Sequence, residues 1–499
     1  MRRTSYLAII IVILAVAVRF IQIDQPFVDH WSWRQSDVAA IARNYFQNGF
    51  HFAYPQIDWA GGELGYVGTE FPILPFAAAL CYKTSGVHEW IGRVQAVILF
   101  ALSLPFFFLL VRKTFGEIAA VWSLGFYSFA PIEIMASRCF MPDVPSLTLS
   151  IIGLYLFQRW IESEPERQPR LTSPFVWSAL CIALSILIKA TSVLIGVPLA
   201  CLAFQRFKLR ALREIDLWIF AGIALLPSAI WYGHAYQIAQ QFYPHHFFGA
   251  GGVKIMSLGW YWEIAKQIPA AEMTPILFLL GAFGVWQTRS RSAARPFHWW
   301  LAAMIVFIVV VGFGNRHPWY RLPLVPIFAA FAGAACAHVM SLSTFADARS
   351  YAALFMRSAF AIALIAFAAF TLTYAKWLYE PTAAPMRDAG LLLKKVTPPV
   401  SLIVAADNGD PTIFYYAERK GWHFLETGGI YNGEPVNSAQ AIAGLEALRK
   451  RGANFLVFTS NTSWWLDYHT ELGQYVASNA TPVETTPEFK IYKLHPMSP

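Results

Sequence analysis

Two carboxylates and an arginine cluster in the run from Asp29 to Asp37, where the first apolar segment of the chain ends. Asp29, Arg34 and Asp37 would then lie at a membrane surface, where ionisable groups are costly to keep and usually mark a function. A carboxylate in such a place can take a proton from a hydroxyl group, and an arginine can bind an anion. The alternative is that the run only anchors a helix end, as Trp and Arg often do at the interface.

Further charged and polar residues recur between later apolar segments, on the same side of the membrane. They are Arg138 and Asp143 between the third and fourth segments, Lys189 between the fifth and sixth, and Arg316, His317 and Tyr320 before the tenth. Three of them have a structural alternative. Asp143 would cap a helix, Lys189 would snorkel to the interface, and His317 would be a satisfied interfacial histidine.

The composition describes a membrane protein rather than a soluble domain. Of the 499 residues, 57% are hydrophobic and only 14% are charged. The 38 basic and 30 acidic residues give a formal net charge of +8, but the basic residues form no long run. Membrane orientation explains this excess better than nucleic acid, which we do not expect as a partner. The five cysteines show no CxxC spacing, so we expect no cofactor and leave only a divalent metal open.

Windows of about 20 apolar residues, the length that crosses a bilayer, recur about eleven times. They lie near residues 6–23, 93–111, 117–136, 144–158, 174–188, 191–204, 216–233, 273–287, 298–313, 319–338 and 355–375. With the N-terminus inside, the inner connections hold most of the basic residues: Arg2, Arg3, Arg112, Lys113, Arg159, Arg167, Arg170, Arg206, Lys208, Arg210, Arg213, Arg289, Arg291, Arg295 and Arg349. The short outer connections hold only Arg138, Lys189, Arg316 and Arg321. This asymmetry predicts a cytoplasmic N-terminus and places the charged residues above at the outer face.

Two outer segments are long enough to carry structure of their own. The first, residues 24–92, alternates polar and apolar residues at helical spacing, which predicts a helix lying in the interface plane. The second, residues 234–272, is rich in aromatic residues and histidine, which suit either stacking on sugar rings or an aromatic belt.

The composition changes to that of a soluble domain after about residue 380. Residues 401–406, 454–458 and 489–494 are typical of strands, and 439–451 of an amphipathic helix. The odd number of spans leaves this small α/β domain outside. We therefore predict a mainly α membrane domain over 1–379, and a periplasmic α/β domain with a binding or capping role over 380–499.

Carboxylates and cations at the outer leaflet suit a substrate with an anionic head and a long apolar tail, such as a polyprenyl-phosphate sugar. Transfer of the sugar to a hydroxyl needs a carboxylate that takes the acceptor's proton, a contribution of about 10²–10⁴-fold. The leaving phosphate is a stable anion, so it needs positive charge rather than a proton. Lys189, Arg34 and Arg138 would supply that charge.

Five motifs stand out in the membrane region. They are Gly92-Arg93, Lys113-Thr114-Phe115-Gly116, Met141-Pro142-Asp143-Val144-Pro145, Leu187-Ile188-Lys189-Ala190-Thr191 and His317-Pro318-Trp319-Tyr320-Arg321-Leu322-Pro323-Leu324-Val325-Pro326. In these motifs the chain resembles the C-type glycosyltransferases (GT-C) of the protein O-mannosyltransferase and lipid A aminoarabinose transferase kind. The resemblance implies a multi-helix GT-C fold and a polyprenyl-phosphate-sugar donor. It also implies that Asp143 is the second outer acidic residue of the family and that Lys189 contacts the phosphate.

Two positions depart from the family pattern. Arg34-Gln35 stands where the first outer loop of the family has an acidic pair with its catalytic base, and Glu70 stands where relatives often have Lys or His. Asp37 lies one helical turn after Arg34, so we interpret Asp37 as the base and keep Asp29 as the alternative. The predicted site then comprises catalytic Asp37, Asp29 and Asp143, and substrate-binding Arg34, Glu70, Arg93, Arg138, Lys189, Arg316, His317 and Tyr320.

These features predict a multi-pass enzyme of a bacterial inner membrane, acting by one inverting displacement. Its acceptor would be lipopolysaccharide, another envelope glycan or a protein, and membrane lipids would surround it. The rival is a transporter or flippase of lipid-linked sugar, but transporters place their sites near the bilayer midplane and often contain repeats. A non-enzymatic subunit that presents its outer domain to partners is the third hypothesis.

Overall fold

The computed structural model describes residues 2–163, 172–243, 252–342, 351–427 and 430–496. Five residues and one range named in the sequence analysis fall outside this description in whole or in part. They are Arg167, Arg170 and Arg349, the side chains of Arg2 and Arg3, and residues 244–251 of the second outer segment.

The α-helices are α1 (Arg2–Arg19), α2 (Ser32–Asn48), α3 (Ile73–Ser85), α4 (Glu89–Phe115), α5 (Glu117–Phe129), α6 (Pro131–Ala136), α7 (Asp143–Glu162), α8 (Ser173–Ile188), α9 (Gly196–Phe207), α10 (Ile215–Gln241), α11 (Leu258–Gln267), α12 (Pro275–Thr288), α13 (Arg295–Val311), α14 (Leu324–Ser341), α15 (Tyr351–Leu378), α16 (Ala384–Val396), α17 (Thr412–Ala417), α18 (Ser438–Lys450), α19 (Trp465–Tyr468) and α20 (Thr470–Asn479).

The chain forms two compact units, neither of which is a single continuous segment. The helical unit contains Met1–Ile23, Arg93–Trp231 and Ala250–Trp377. The α/β unit contains Asp24–Gly92, Tyr232–Gly249 and Leu378–Pro499. The predicted boundary near residue 380 agrees with the last of these limits. The division into domains 1–379 and 380–499 stays a prediction, because the compact units group the first outer segment with the C-terminal residues.

The helical unit is a multi-pass membrane structure. Six helices of the described residues are long and apolar enough to cross a membrane, and a seventh span results if Leu258–Met273 and Pro275–Thr288, bent by 109°, form one. Every one of the eleven predicted windows falls on one or two helices. Several of these helices are short, such as Ser173–Ile188, so the count of eleven stays a prediction.

Close helix packing organises the helical unit around α14, whose apolar window is 72% buried. Gly333 on α14 meets α5 so closely that an added Cβ would lie 2.0 Å from Ser123 Oγ. Gly284 on α12 lies equally close to the carbonyl oxygen of Phe331, and Gly153 on α7 faces Ile182 of α8. Small residues let helix backbones approach in a membrane, where van der Waals packing drives association. The α7–α8 contact positions Asp143 at the start of α7 and Lys189 directly after α8.

The α/β unit is built on a five-stranded sheet in the order β2-β1-β5-β7-β6. The strands of the unit are β1 (Leu402–Ala406), β2 (Lys420–His423), β3 (Glu426–Thr427), β4 (Ile430–Tyr431), β5 (Ala453–Thr459), β6 (Ala480–Thr485) and β7 (Phe489–Leu494). β1 pairs in parallel with both β2 and β5, whereas β7 pairs antiparallel with β5 and β6. The structure confirms the three predicted strands and the predicted helix, and adds β2, β3, β4 and β6.

Each face of this sheet packs on a different set of helices. Side chains alternate between the faces of a strand, so Ile403 points to one side and Val404 to the other. Val404 joins a core with residues of α18 and α20. Ile403 joins a core with Ile41 and Tyr45 of α2 and with residues of α16.

The predicted helix of the first outer segment is therefore part of a protein core. It forms at Ser32–Asn48, and residues 35–45 are all buried. That this helix lies in the interface plane stays a prediction. The structure adds that α2 covers one face of the sheet, which hydropathy along a single segment does not reveal.

Candidate active site

Arg34, Asp37 and Glu70 form one charged cluster in the α/β unit. Arg34 and Asp37 are one turn apart on α2, as predicted, and Arg34 Nη1 donates to Asp37 Oδ2. Arg34 Nη2 donates to both carboxylate oxygens of Glu70, at 2.8 and 2.9 Å. Thr69 Oγ1 donates to Glu70 at 3.0 Å. One guanidinium thus bridges two carboxylates, and the three side chains are only 11–12% exposed.

The environment of Asp37 suits a proton acceptor. Burial raises the pKa of Asp37 above its ordinary value, because a charged carboxylate loses hydration there. The positive charge of Arg34 lowers this pKa, Glu70 raises it further, and His423 lowers it. A carboxylate whose pKa is raised holds an abstracted proton more firmly than an exposed one does, which favours general-base chemistry.

Asp29, the alternative base, orders the start of α2. Its side chain is completely buried. Asp29 Oδ1 accepts hydrogen bonds from the Trp31 backbone N–H at 3.0 Å and from Gln35 Nε2 at 2.9 Å. Gln35 Nε2 also lies 3.1 Å from Asp29 Oδ2. These bonds satisfy N–H groups near a helix N-terminus, which is the usual work of a structural carboxylate.

Asp143, Lys189 and Tyr320, which the sequence places at the same face of the membrane, meet in the helical unit. Lys189 Nζ lies 2.6 Å from Asp143 Oδ1, and the two side chains are 7% and 3% exposed. The same Nζ lies 4.2 Å from the centroid of the Tyr320 ring, in cation–π contact. Three elements supply these residues: α7, the end of α8 and the 3₁₀ turn Pro318–Arg321.

The three residues line a small hollow of about 30 Å³. Hydroxyl groups and indole rings complete its walls, from Ser150, Thr191, Ser192, Trp300 and Trp319. A cation beside hydroxyl donors suits an anionic group, and the indole rings offer faces against which a sugar could stack. The hollow lies entirely within the helical unit.

Arg93 and Arg138 hold the chain segment that leaves α1. Arg138 Nη2 donates to the carbonyl of Gln22 at 2.6 Å, and Arg93 Nη1 donates to the carbonyl of Ile23 at 3.2 Å. Both arginines are completely buried. Neither is among the described residues that line the hollow. These hydrogen bonds fit a structural role, and the predicted substrate contacts of the two arginines stay a prediction.

Arg316 and His317 are close in sequence to Trp319 and Tyr320, which line the hollow. Neither of the two is among the described residues that line it. The His317 ring stacks on Trp319, with ring centroids 4.5 Å apart. Arg316 is exposed, and its carbonyl accepts a bond from Arg321 Nη1 at 2.8 Å. Arg321 is ion-paired with Glu272, and both are buried. Glu272 was not predicted from the sequence, although a lone glutamate in an apolar stretch is a usable signal.

A second group that sequence reasoning missed is the pair of Asp407 and His423. His423 Nδ1 lies 2.8 Å and 3.0 Å from the two carboxylate oxygens of Asp407. The signal was an acidic turn directly after a buried strand, since parallel sheets place functional residues at the carboxyl ends of strands.

No group of three or more His, Cys, Asp or Glu side chains within the described ranges could hold a metal ion.

Comparison with known proteins finds a family model that matches part of the chain and solved structures of similar fold. Residues 70–232 match the family of dolichyl-phosphate-mannose-protein mannosyltransferases. ArnT from Cupriavidus metallidurans in the apo state has a TM-score of 0.65 and 16% identity, over 99% of this chain and 98% of ArnT. ArnT bound to undecaprenyl phosphate has a TM-score of 0.63 and 15% identity, over 97% of each chain.

A similar likeness holds for the oligosaccharyltransferase AglB from Archaeoglobus fulgidus, in complex with an inhibitory peptide and a dolichol-phosphate. Its TM-score is 0.62 at 14% identity, over 98% of this chain and 74% of AglB. No curated protein sequence matches the chain. The family match over residues 70–232 and the similar fold along the whole chain agree with the resemblance in the sequence motifs: the chain is similar to C-type (GT-C) glycosyltransferases and has their fold.

Proposed function

We propose that the protein transfers a sugar from a polyprenyl-phosphate carrier to an acceptor hydroxyl of the cell envelope. The observation that carries the proposal is the buried pair of Lys189 and Asp143 beside Tyr320, at a small hollow in the helical unit. Two proteins of the same fold support the donor class, because ArnT is bound to undecaprenyl phosphate and AglB to a dolichol-phosphate.

Lys189 is the principal phosphate-binding residue in this proposal. Its ammonium group is nearly dehydrated, so its attraction to an anion is stronger than it would be in water. The phosphate would compete with Asp143 for Nζ, and Asp143 would then be free to orient the substrates. Arg34 and Arg138, the other predicted phosphate contacts, already bind Glu70 and the carbonyl of Gln22.

Asp37 is the general base in this proposal. It takes the proton of the acceptor hydroxyl while the acceptor oxygen forms a bond to the anomeric carbon. The bond between that carbon and the phosphate oxygen breaks, and the phosphate leaves with the bonding electrons as a stable anion. One displacement inverts the anomeric configuration, and the proton ends on Asp37. The acceptor would be lipopolysaccharide, another glycan or a protein.

The distribution of basic residues supports a bacterial inner-membrane location with the N-terminus in the cytoplasm. The connections assigned to the inside hold most of the arginines and lysines, as the positive-inside rule requires. The C-terminal α/β domain would then lie in the periplasm, where polyprenyl-linked sugars and envelope acceptors meet.

The test is a transfer assay with purified protein and a radiolabelled polyprenyl-phosphate sugar. We expect sugar transfer or slow donor hydrolysis, reduced by about 10²–10⁴-fold in Asp37→Asn. Asp29→Asn is the matched control, since asparagine keeps an oxygen that accepts from Trp31 and Gln35. Full activity in Asp37→Asn together with loss in Asp29→Asn would move the base to Asp29.

The same assay separates the rival functions. A flippase would move the labelled donor across proteoliposome membranes and leave its glycosyl bond intact. A non-enzymatic subunit would do neither. Repeating the assay with a chelator, and then with added Mg²⁺ or Mn²⁺, decides whether the reaction needs a divalent metal.

A further inference from the structure

A cavity of about 430 Å³, the polar cavity, opens within the α/β unit. Its size falls in the range of about 300–1,000 Å³ that is typical of small-ligand pockets. Its walls are the second half of α2, the loop that contains Asp58 and Gly62, and the segments 399–402 and 418–420, which lead into β1 and β2. Most of the side chains that line it are polar or charged. None of the residues assigned above to the donor site or to the base is among its described lining residues.

A buried network of Arg43, Asn44 and Asp58 forms one wall of the polar cavity. Arg43 Nη2 donates to Asp58 Oδ2 at 2.5 Å, and Arg43 Nη1 donates to the carbonyl of Tyr415. Asn44 Nδ2 donates to Asp58 Oδ1 at 2.9 Å. The three network residues are only 3–5% exposed. Their side chains are therefore held in place before any ligand arrives, which is how a few fixed polar groups orient a ligand in a pocket.

Ser401 and Gln47 bring polar groups to the polar cavity that hydrogen-bond to none of the residues that the structure describes. Ser401 is 4% exposed, and Gln47 is exposed on α2. Asn48 uses its Nδ2 on Asn44 and Gln56, at 3.2 and 2.8 Å, which leaves its Oδ1 available. Buried polar groups are normally hydrogen-bonded, so the Ser401 hydroxyl indicates that a polar molecule occupies this wall.

Lys420 adds a cation with spare donors. Its Nζ donates to the carbonyl of Glu63 at 3.0 Å, and an ammonium group has two further N–H bonds to offer. Arg419, by contrast, spends its N–H groups on Thr397 and on backbone carbonyls, so it builds the wall. Donors and acceptors thus stand side by side around the cavity. This mixture suits hydroxyl groups, each of which both donates and accepts a hydrogen bond.

The helix α2 connects the polar cavity to the proposed base. Asn44 and Asn48 follow Asp37 by seven and eleven residues, a spacing that puts all three on one face of the helix. A rise of about 1.5 Å per residue places the two asparagines about 10 and 17 Å beyond Asp37 along the helix axis. The cavity is therefore too far from Asp37 to hold the reacting hydroxyl, whereas a short oligosaccharide chain spans such a distance.

We propose that the polar cavity binds a glycan segment of the acceptor, at sugars remote from the hydroxyl that reacts. The inference rests on the proposed function, in which Asp37 takes the proton of the acceptor, and it names the acceptor class as an envelope glycan rather than a protein. It also gives the α/β unit a specific task. The hydroxyl, the amides and the ammonium group of the cavity select a hydroxyl-rich chain, and the buried network keeps them in place.

The experiment is direct binding of soluble oligosaccharides to the purified full chain, by isothermal titration and saturation-transfer difference NMR. The probes are core oligosaccharide released from lipopolysaccharide and fragments of a capsular polysaccharide, with an unglycosylated peptide as the rival probe. We expect an oligosaccharide to bind and the peptide not to bind. Ser401→Ala and Gln47→Ala should each weaken oligosaccharide binding about 2–10-fold, because each removes a neutral hydrogen bond.

Gln474→Ala is the matched control, because Gln474 is an exposed glutamine of the same unit, on α20, outside the lining of the cavity. It should bind oligosaccharide as the wild type does, and thermal unfolding checks that all three variants are folded. The inference is overturned if neither oligosaccharide binds the wild type, if both cavity variants bind with wild-type affinity, or if the peptide binds and Gln47→Ala weakens it. Sugar transfer and donor hydrolysis judge the proposed function separately. Oligosaccharide binding without either reaction would overturn that function and not the glycan site.

Discussion

Lys189 and Asp143 form an ion pair of 2.6 Å in which both side chains are almost fully buried. A buried pair is stable only while both partners are present, because either charge alone lacks both water and a counterion. The pair therefore has two separable roles. It holds the start of α7 to the end of α8, and it keeps a cation at the hollow where the proposal places the donor phosphate.

Replacing Lys189 by Met should affect both roles. It leaves the Asp143 carboxylate unpaired, so we expect a loss of about 3–5 kcal/mol in the free energy of unfolding. The double variant Lys189→Met with Asp143→Asn removes both charges and should regain most of that stability in thermal unfolding. It should still fail to transfer sugar. Recovery of transfer in the double variant would contradict a role for Lys189 in binding the phosphate.

Arg34→Gln and Glu70→Gln should move the acidic limb of the pH profile in opposite directions. Arg34 lowers the pKa of Asp37, so its removal should shift the limb to higher pH by about 1–3 units. Glu70 raises the pKa of Asp37, so Glu70→Gln should shift the limb to lower pH. Both limbs are read from kcat measured across the pH range. Shifts of the same sign in both variants would contradict the electrostatic account of this cluster.

Most of the fold could be predicted because it follows from patterns local to each segment. Apolar windows locate the membrane helices, and the buried strands 401–406 and 454–458 are continuous apolar runs. Strand β2 was not predicted, because Lys420–His423 is short and its polar and apolar residues do not alternate. Without β2, the parallel edge that carries His423 could not be recognised. The burial of α2 was not predicted, because it depends on a sheet that lies more than 350 residues later in the chain.

The candidate site was only partly predictable, because its partners are distant in sequence. Asp143, Lys189 and Tyr320 were predicted only to lie at the same face of the membrane, and the structure brings their side chains together. Arg34 and Glu70 were treated as two separate departures from the family pattern, whereas the structure joins them in one bidentate ion pair. Arg34 and Glu70 each depart from the charge expected at their position, but their opposite charges complement one another in the pair. A single sequence does not state which residues pair across such a separation.

Asp410→Asn should stabilise the protein at neutral pH but not in acid. Burial raises the pKa of Asp410 from 3.8 to about 6. The folded state therefore binds its proton more tightly, and the free energy of unfolding falls as pH rises from 3.8 to about 6, by about 3 kcal/mol in total. Asparagine avoids this loss and keeps an oxygen for the Thr412 N–H, which Asp410 accepts at 2.9 Å.

The measurement for Asp410→Asn is thermal unfolding at about pH 4 and about pH 8, where the linkage predicts a gain only at the higher pH. Asp388→Asn is the control, because Asp388 belongs to the same unit and its side chain is 51% exposed. A lower melting temperature for Asp410→Asn at both pH values would contradict the expectation. It would mean that the carboxylate makes a net favourable contribution in the folded state.

Gly333→Ala should destabilise the helical unit without changing the chemistry. An added Cβ at this position would lie 2.0 Å from Ser123 Oγ and 2.3 Å from the carbonyl oxygen of Ala119, so α14 and α5 would have to move apart. Overpacking of this kind costs about 1–3 kcal/mol. Gly125→Ala, on α5 itself, is the matched control, because a Cβ there meets no described atom within 4 Å. Thermal unfolding of the two variants in detergent should show a lower melting temperature for Gly333→Ala alone. Equal melting temperatures would mean that close approach of α5 and α14 does not limit the stability of the unit that carries Lys189, Asp143 and Tyr320.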